Sequence, residues 1–243
     1  MQEGATAGAG ADPSESTLLK ARSWNARRDD AYLPAPGERW YVRRSMSIEA
    51  AFRSEEVFTQ EEFWEWVQDR PATDHNRYEL VSGHIVMSPP AGWPHGGIEA
   101  HLVGLLNAHV SGRKLGLILG SSAGYDLPSG DTLEPDATFL SAARLAAGPA
   151  PVHGRFLRIV PDLVVEILSD STAKRDRGEK LEIYARNGVD EVWLVDTKER
   201  EIAVHFRVGE RFGPAVVITG GEIPSRVLPE LGARLEDVFA DLF

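Results

Sequence analysis

The order of apolar and polar residues predicts alternating helices and strands from about residue 58 onward. Thr59 and Glu62 have the spacing of a capping box, and the apolar positions after them predict a short amphipathic helix. Residues 78–87 alternate in the manner of a β-hairpin around a Ser-Gly turn. Apolar residues recur at helical spacing over residues 95–111, which predicts a second amphipathic helix.

The second half of the chain contains the pattern of a strand–helix–strand unit. Residues 162–168 form an apolar strand, Thr172 can cap a helix that runs to about Asn187, and residues 192–195 form the next apolar strand. Such a crossover is right-handed and makes its two strands parallel. Further strands are predicted at residues 115–127, 137–140, 202–208 and 215–219, with a closing turn and helix at 228–243. Together these elements predict an α/β fold with a mixed sheet flanked by helices and an antiparallel hairpin extension.

Composition is ordinary for a soluble globular protein: 42% of the 243 residues are hydrophobic and 26% are charged. No apolar run approaches the ~20 residues that span a bilayer, and we expect neither a secretory signal nor a membrane partner. Cysteine is absent, so a metal site would need oxygen or imidazole ligands. A cytoplasmic location is the expectation.

The charge is distributed unevenly between two predicted regions. Residues 1–45 begin with a stretch rich in Gly and Ala and contain seven Lys or Arg and six Asp or Glu, so we expect a poorly ordered extension there. The formal charge of the whole chain is −11, which leaves −12 on the predicted domain, residues 46–243. An acidic domain is not attracted to nucleic acid as a whole, so a nucleic-acid substrate would require a locally basic groove.

Three acids lie on apolar strands, where an ionised side chain is kept only if it is paired or binds a metal. Glu166 lies between two valines and the pair Ile167-Leu168. Asp136 follows a proline at the start of its own strand, and Glu79 lies in the hairpin. If the strands that carry Asp136 and Glu166 are neighbours, both carboxylates can meet at one cation. Oxygen ligands of this kind favour Mg²⁺ or Mn²⁺.

These acids belong to a longer pattern that resembles the Uma-two family of restriction endonucleases, within the PD-(D/E)xK nuclease superfamily. The similarity covers roughly residues 58–240 and lies in Tyr78-Glu79-Leu80, Gly83, His95, Pro135-Asp136, Val165 to Ser169, Ser171-Thr172, Asp176, Lys180, Tyr184, Gly188-Val189 and Glu191 to Asp196. The resemblance implies a restriction-endonuclease-like fold and a metal-dependent endonuclease that acts on DNA. At one point the chain departs from the wider nuclease pattern, because Leu168 stands where a lysine is expected. Lys180, on the next helix, is the best substitute.

The roles that follow from the resemblance and from the strand positions are hypotheses. Asp136 and Glu166 are metal ligands, and Glu79 is a further ligand or a base acting through water. Lys180 orients the attacking water and stabilises negative charge. His95 lines the site as a phosphate contact or proton carrier. Each acid can instead be a structural member of an ion pair, and Lys180 can be an ordinary solvated lysine.

For the other Lys, Arg and His side chains, the sequence indicates a functional role less strongly. Lys174, Arg175 and Arg177 form a small basic cluster that can contact a phosphate backbone or simply begin a solvated helix. His101 and His109 are expected on the exposed side of their helix.

Two other functions remain open on the sequence alone. Leu168 and the acidic domain also fit a noncatalytic binding or regulatory domain derived from a nuclease. The negative charge of the domain argues less strongly against a metal-dependent hydrolase of a small phosphate compound than against an enzyme that acts on nucleic acid. By analogy with restriction-type folds, we expect a homodimer, since one small active site cuts one strand.

Overall fold

A computed structural model describes residues 52–242. The predicted poorly ordered extension, residues 1–45, lies outside the described residues. Within residues 52–242 no helix is both long enough and apolar enough to cross a lipid bilayer.

Twelve strands and six α-helices make up the described part of the chain. The strands are β1 (Phe52–Arg53), β2 (Arg77–Val81), β3 (His84–Ser88), β4 (Gly116–Gly120), β5 (Tyr125–Asp126), β6 (Thr132–Leu133), β7 (Ala137–Ser141), β8 (Leu163–Leu168), β9 (Glu191–Asp196), β10 (Glu201–Val208), β11 (Arg211–Phe212) and β12 (Val216–Ile218). The helices are α1 (Gln60–Gln68), α2 (His95–Arg113), α3 (Ala142–Ala147), α4 (Ala173–Arg175), α5 (Leu181–Arg186) and α6 (Leu235–Val238). A π-helical turn, Asp176–Lys180, joins α4 to α5 and is called the π segment below.

The larger sheet is mixed, as the sequence predicts. Its strand order is β11-β10-β9-β8-β7-β4, and β12 pairs with β10 outside this path. Strands β8 and β9 are parallel, and every other pair in this sheet is antiparallel. The parallel pair needs a crossover connection, which α4, the π segment and α5 provide. This crossover positions the π segment beside β8.

Both faces of strand β8 are buried, which explains its nearly continuous apolar sequence. Val165 and Ile167 pack with α2 in one core, whereas Val164 and Leu168 pack with α5 in the other. Glu166 lies between Val164 and Leu168 on this second face, because alternate residues of a strand share a face. The sheet therefore directs one carboxylate into a region otherwise covered by apolar side chains.

A smaller antiparallel sheet packs with α1 and has the strand order β1-β3-β2-β6-β5. Thr59 and Glu62 form the predicted capping box at the start of α1. The predicted hairpin is β2 and β3, with its turn at Ser82-Gly83. Leu80 of β2 pairs with Thr132 of β6, and this register holds the hairpin next to the chain segment that leads into β7.

Some local predictions are wrong in detail. The predicted strand over residues 115–127 is two strands, because the chain leaves the larger sheet after β4 and enters the smaller one at β5. The connection predicted over residues 142–158 begins with helix α3. His109 is buried, with 5% of its surface exposed, rather than on the exposed side of α2.

Candidate active site

The strand pairing brings Asp136 next to Glu166. Ala137 pairs with Val165 in the antiparallel β7–β8 ladder, so the residue before Ala137 lies opposite the residue after Val165. The backbone N–H of Asp136 donates to the Val165 carbonyl over 3.1 Å, and the N–H of Ile167 donates to Asp136 Oδ2 over 2.7 Å. Each carboxylate residue is only 3% exposed. Two of the three acids that the sequence singled out therefore meet at one end of this strand pair.

Lys180 enters the same place from the π segment, and its side chain points inward, with 3% of the residue exposed. Its Nζ lies 2.6 Å from Glu166 Oε1, 2.9 Å from Glu79 Oε1 and 3.7 Å from Asp176 Oδ1. A π turn contains an extra residue relative to an α turn and is found often at functional sites. Here the turn directs both Asp176 and Lys180 towards the sheet.

Glu79 comes from the smaller sheet and contacts both the segment before β7 and the crossover between β8 and β9. Its Oε1 accepts a hydrogen bond from the backbone N–H of Glu134 over 3.0 Å, in addition to its contact with Lys180. Its Oε2 lies 3.3 Å from Arg175 Nη2. The carboxylate of Glu79 therefore positions two cations of the crossover, Arg175 and Lys180.

Asp136 is held by an arginine and a histidine side chain. Arg77 Nη1 lies 2.7 Å from Asp136 Oδ1, and His95 Nε2 lies 3.2 Å from Oδ2. Burial raises the pKa of Asp136, but the hydrogen bonds and charges of His95 and Arg77 outweigh it and lower the pKa to about 2. Burial lowers the pKa of His95, yet its hydrogen bond to Asp136 and the charge of that carboxylate raise it above its ordinary value. Asp136 is therefore ionised at neutral pH.

Glu166 is in a different electrostatic state. Full burial raises its pKa to about 8; the charge of Lys180 opposes this shift, and the neighbouring acids Asp176, Asp136 and Glu79 add to it. Burial also raises the pKa of Glu79, but Lys180 and Arg175 outweigh burial and hold that pKa below its ordinary value. Of the two carboxylates nearest to Lys180, Glu79 is thus ionised, whereas Glu166 is mostly protonated at neutral pH. The hydroxyl of Tyr184 donates a further hydrogen bond to Glu166 Oε1.

These groups line one cleft of about 430 Å³. Among the residues that the structure describes, the acids of the cleft outnumber its Lys and Arg side chains. The acids are Glu79, Glu134, Asp136, Glu166 and Asp176, and the cations are Arg77, Arg175 and Lys180. Burial, with the charge of Glu79, raises the pKa of Glu134 to about 7. The cleft therefore has more carboxyl groups than Lys and Arg side chains, and a bound cation would favour the ionised forms of Glu134 and Glu166.

The donor types of the cleft fit a hard divalent cation. All the acids offer oxygen ligands, and the buried Oδ1 of Asp176 has no hydrogen-bond partner. However, no three acids or histidines within residues 52–242 are arranged as a ready coordination shell. The reason is visible in the contacts: Asp136 is already bound by Arg77 and His95, and Glu166 by Lys180. A metal would replace some of these cation contacts.

The cleft also contains side chains whose place in it the sequence did not predict. Arg77 is the ion-pair partner of Asp136, and its Nη2 donates to the carbonyl of Glu134. Arg175 donates from Nη2 to Ser88 Oγ over 2.9 Å, while its buried Nε and Nη1 have no acceptor. Arg77 lies two residues before Glu79 and therefore on the same face of the strand, which could have indicated that it enters the cleft. Arg175 belongs to the predicted basic cluster, but the structure separates the members of that cluster: Arg177 pairs with Asp196, and Lys174 is exposed.

Comparisons with known proteins agree with this fold. A family model named Uma2 and described as "Putative restriction endonuclease" matches residues 61–236. A solved structure, "a putative nuclease belonging to DUF820" from Anabaena variabilis, matches with a TM-score of 0.62 and 19% sequence identity. That match covers 74% of this chain and 98% of the solved chain. No curated protein matches the chain.

Proposed function

Since the chain belongs to the Uma2 family, we propose that it is a divalent-metal-dependent endonuclease that hydrolyses phosphodiester bonds in DNA. The observation that carries this proposal is the convergence on one cleft of Asp136, just before β7, Glu166 of β8 and Lys180 of the π segment. Buried acids with perturbed pKa values beside a positioned lysine are typical of active sites.

We assign the metal to the carboxylates at the end of the β7–β8 pair. Asp136 and Glu166 would hold Mg²⁺ or Mn²⁺, and Glu79 is the further ligand. Bound there, the ion would supply Lewis-acid polarisation of the scissile phosphate and would neutralise developing charge. The carboxylate oxygens and the absence of cysteine favour a hard cation over zinc.

The lysine and the histidine act directly on the reacting groups in this proposal. Lys180 holds its ammonium next to Glu166, where it orients the attacking water and stabilises negative charge on the phosphate. The π segment thereby supplies the amine that Leu168 lacks. His95, whose pKa is raised by Asp136, is a phosphate contact or a proton donor to the leaving oxygen.

Arg175 is the second cation available to the substrate. Its Nε and Nη1 are buried at the cleft without an acceptor, and a guanidinium pairs well with phosphate oxygens. Its Nη2 is anchored by Glu79 and Ser88, so the group is already positioned.

The test is cleavage of plasmid DNA with Mn²⁺, with and without EDTA. Asp136→Asn and Glu166→Gln should abolish metal-dependent cleavage, and calorimetry should show Mn²⁺ binding lost with Asp136→Asn. Asp162→Asn is a matched control, since Asp162 is also a buried acid at a strand end and its Oδ1 lies 3.1 Å from Arg144 Nε, away from the cleft. Full cleavage by Asp136→Asn would reject the assignment.

A noncatalytic binding domain is a second candidate, and the existing ion pairs of both acids favour it. It requires no metal, so it predicts no Mn²⁺ binding up to millimolar concentration and no cleavage of DNA, nucleotides or sugar phosphates. For the endonuclease we propose a homodimer, because one site cuts one strand; light scattering that shows a monomer at high concentration would contradict the dimer.

A further inference from the structure

A wider groove opens beside the catalytic cleft. It spans about 1310 Å³, part of which is open solvent, and is formed by the loop before α2 and the loops after β8 and β9. Pro89, His95 and Ser169 line both the groove and the cleft, so the two are continuous. A chain that lies in the groove would therefore pass next to the cleft. We call this surface the side groove.

Trp93 lies at the side groove with 73% of its surface exposed. Within residues 53–242, no other Phe, Tyr or Trp side chain is exposed. By contrast, Trp66 and Trp193 are completely buried. A large flat ring left in water next to a reactive cleft is a feature of surfaces that bind a partner, because its apolar area gains from being covered.

The same groove contains two cations. Lys198 has a side chain that is 70% exposed, and it pairs at the surface with Asp170, which also lines the groove. Arg200 is exposed, and its guanidinium carbon lies 5.8 Å from the centroid of the Phe239 ring. An exposed ion pair contributes little, so a phosphate can replace Asp170 at Lys198 with little loss. Although residues 46–243 are acidic overall, this groove offers positive charge to an anionic chain.

An aromatic platform beside exposed cations is the combination that binds single-stranded nucleic acid, where bases stack and phosphates pair with Lys and Arg. A base inside a duplex already stacks on both neighbours, so its face is not available to Trp93. The geometry points to the side groove as the binding site for a single-stranded DNA segment next to the scissile phosphate, with one base stacked on Trp93 and the backbone held by Lys198 and Arg200. This inference rests on the proposed endonuclease function and adds a preference for substrates with an unpaired segment.

The first measurement is fluorescence anisotropy of a labelled oligothymidine of about 12 nucleotides, in EDTA so that no strand is cut. Trp93→Ala should weaken binding about tenfold, since stacking of one base contributes ~1–3 kcal/mol. Trp93→Phe, which keeps a ring, should bind nearly as well as the wild type. Binding of a blunt duplex of the same length should not depend on Trp93. Because the side chain is at the surface, the variants should fold, and thermal unfolding checks this.

The cations are tested with a matched pair of lysines. Lys198→Ala should weaken oligothymidine binding and reduce its dependence on salt, whereas Lys174→Ala, an exposed lysine outside the groove, should not. Equal binding by Trp93→Ala and wild type, or an equal loss for duplex and single strand, would overturn the inference.

Failure of this inference is distinguishable from failure of the endonuclease proposal. If Asp136→Asn abolishes cleavage of plasmid DNA while Trp93→Ala binds oligothymidine normally, the result supports the endonuclease proposal and contradicts the proposed role of the side groove. If Trp93→Ala loses oligothymidine binding while neither the wild type nor any variant cleaves DNA with Mn²⁺, the result supports the side groove as a binding site and contradicts the endonuclease proposal.

Discussion

Replacing Lys180 by methionine separates the structural contribution of this lysine from its proposed chemistry. The substitution keeps the apolar stem and removes an ammonium that lies 2.6 Å from Glu166 and 2.9 Å from Glu79. A surface ion pair contributes about 0–1 kcal/mol, but removing one member of a buried pair costs about 3–5 kcal/mol, because the other charge is left uncompensated. Lys180 is 3% exposed, so the larger figure applies.

Protonation of Glu166 reduces that cost, because the pKa of this carboxyl is already about 8 with the lysine present. Glu79 stays ionised at pH 7, since its pKa lies below the ordinary value, so protonation does not reduce the cost of leaving its charge uncompensated. We therefore expect Lys180→Met to lower the free energy of unfolding at pH 7 by about 3 kcal/mol. The double variant Lys180→Met with Glu79→Gln should recover most of this loss, because buried ion pairs are often replaced by uncharged groups at little net cost.

The two readouts are urea unfolding at pH 7 and plasmid cleavage with Mn²⁺. The double variant should be stable, and its kcat should fall about 10²–10³-fold below that of Glu79→Gln alone, as found for loss of a group that stabilises transition-state charge. Lys174→Met, on the same crossover but exposed, should change neither. A loss of stability below about 1 kcal/mol for Lys180→Met would refute the stabilising role of its buried contacts with Glu166 and Glu79, and a double variant that cleaves normally would refute the catalytic role.

Three further predictions concern the other charged groups of the cleft. The pKa of Asp136 falls from 3.8 to about 2 on folding, so its contribution to the free energy of unfolding is complete above pH 3.8 and is lost as the pH falls towards 2. Urea unfolding at pH 6 and pH 2.5 should therefore show that the free energy of unfolding falls by about 2 kcal/mol more in the wild type than in Asp136→Asn. Mn²⁺ binding needs ionised Glu166, whose pKa is about 8, so calorimetry should show affinity that rises from pH 6.5 to pH 8.5, and a flat profile would contradict the ligand assignment. Arg175→Gln should raise KM for DNA at least tenfold, while Arg177→Gln, which removes only the contact with Asp196, should not.

Much of the fold was predictable, because the strongest sequence signals are local. The capping box of α1, the hairpin β2–β3 and the strand–helix–strand unit around β8 and β9 are confirmed with shifts of a few residues at their ends. The errors have a common cause. Apolar spacing predicts that residues 115–127 are extended, but it does not say where the chain passes from one sheet to the other. Likewise, the same spacing does not show that His109 is covered.

The site could be predicted only in part. The sequence alone determined that Asp136 and Glu166 are acids on apolar strands, and elementary electrostatics requires such groups to be compensated. It also determined that Lys180 follows on the crossover between two parallel strands. These facts are local: they depend on alternation within a strand and on the order of elements.

Only the tertiary structure decided which group compensates which acid. Arg77 pairs with Asp136, and Glu79 reaches Lys180, because the register of β2 on β6 places the hairpin against the segment before β7. Lys180 points at Glu166 because the π segment changes the winding of the crossover beside β8. Sheet register and helix winding are set by packing across the whole domain, and short-range spacing does not contain that information.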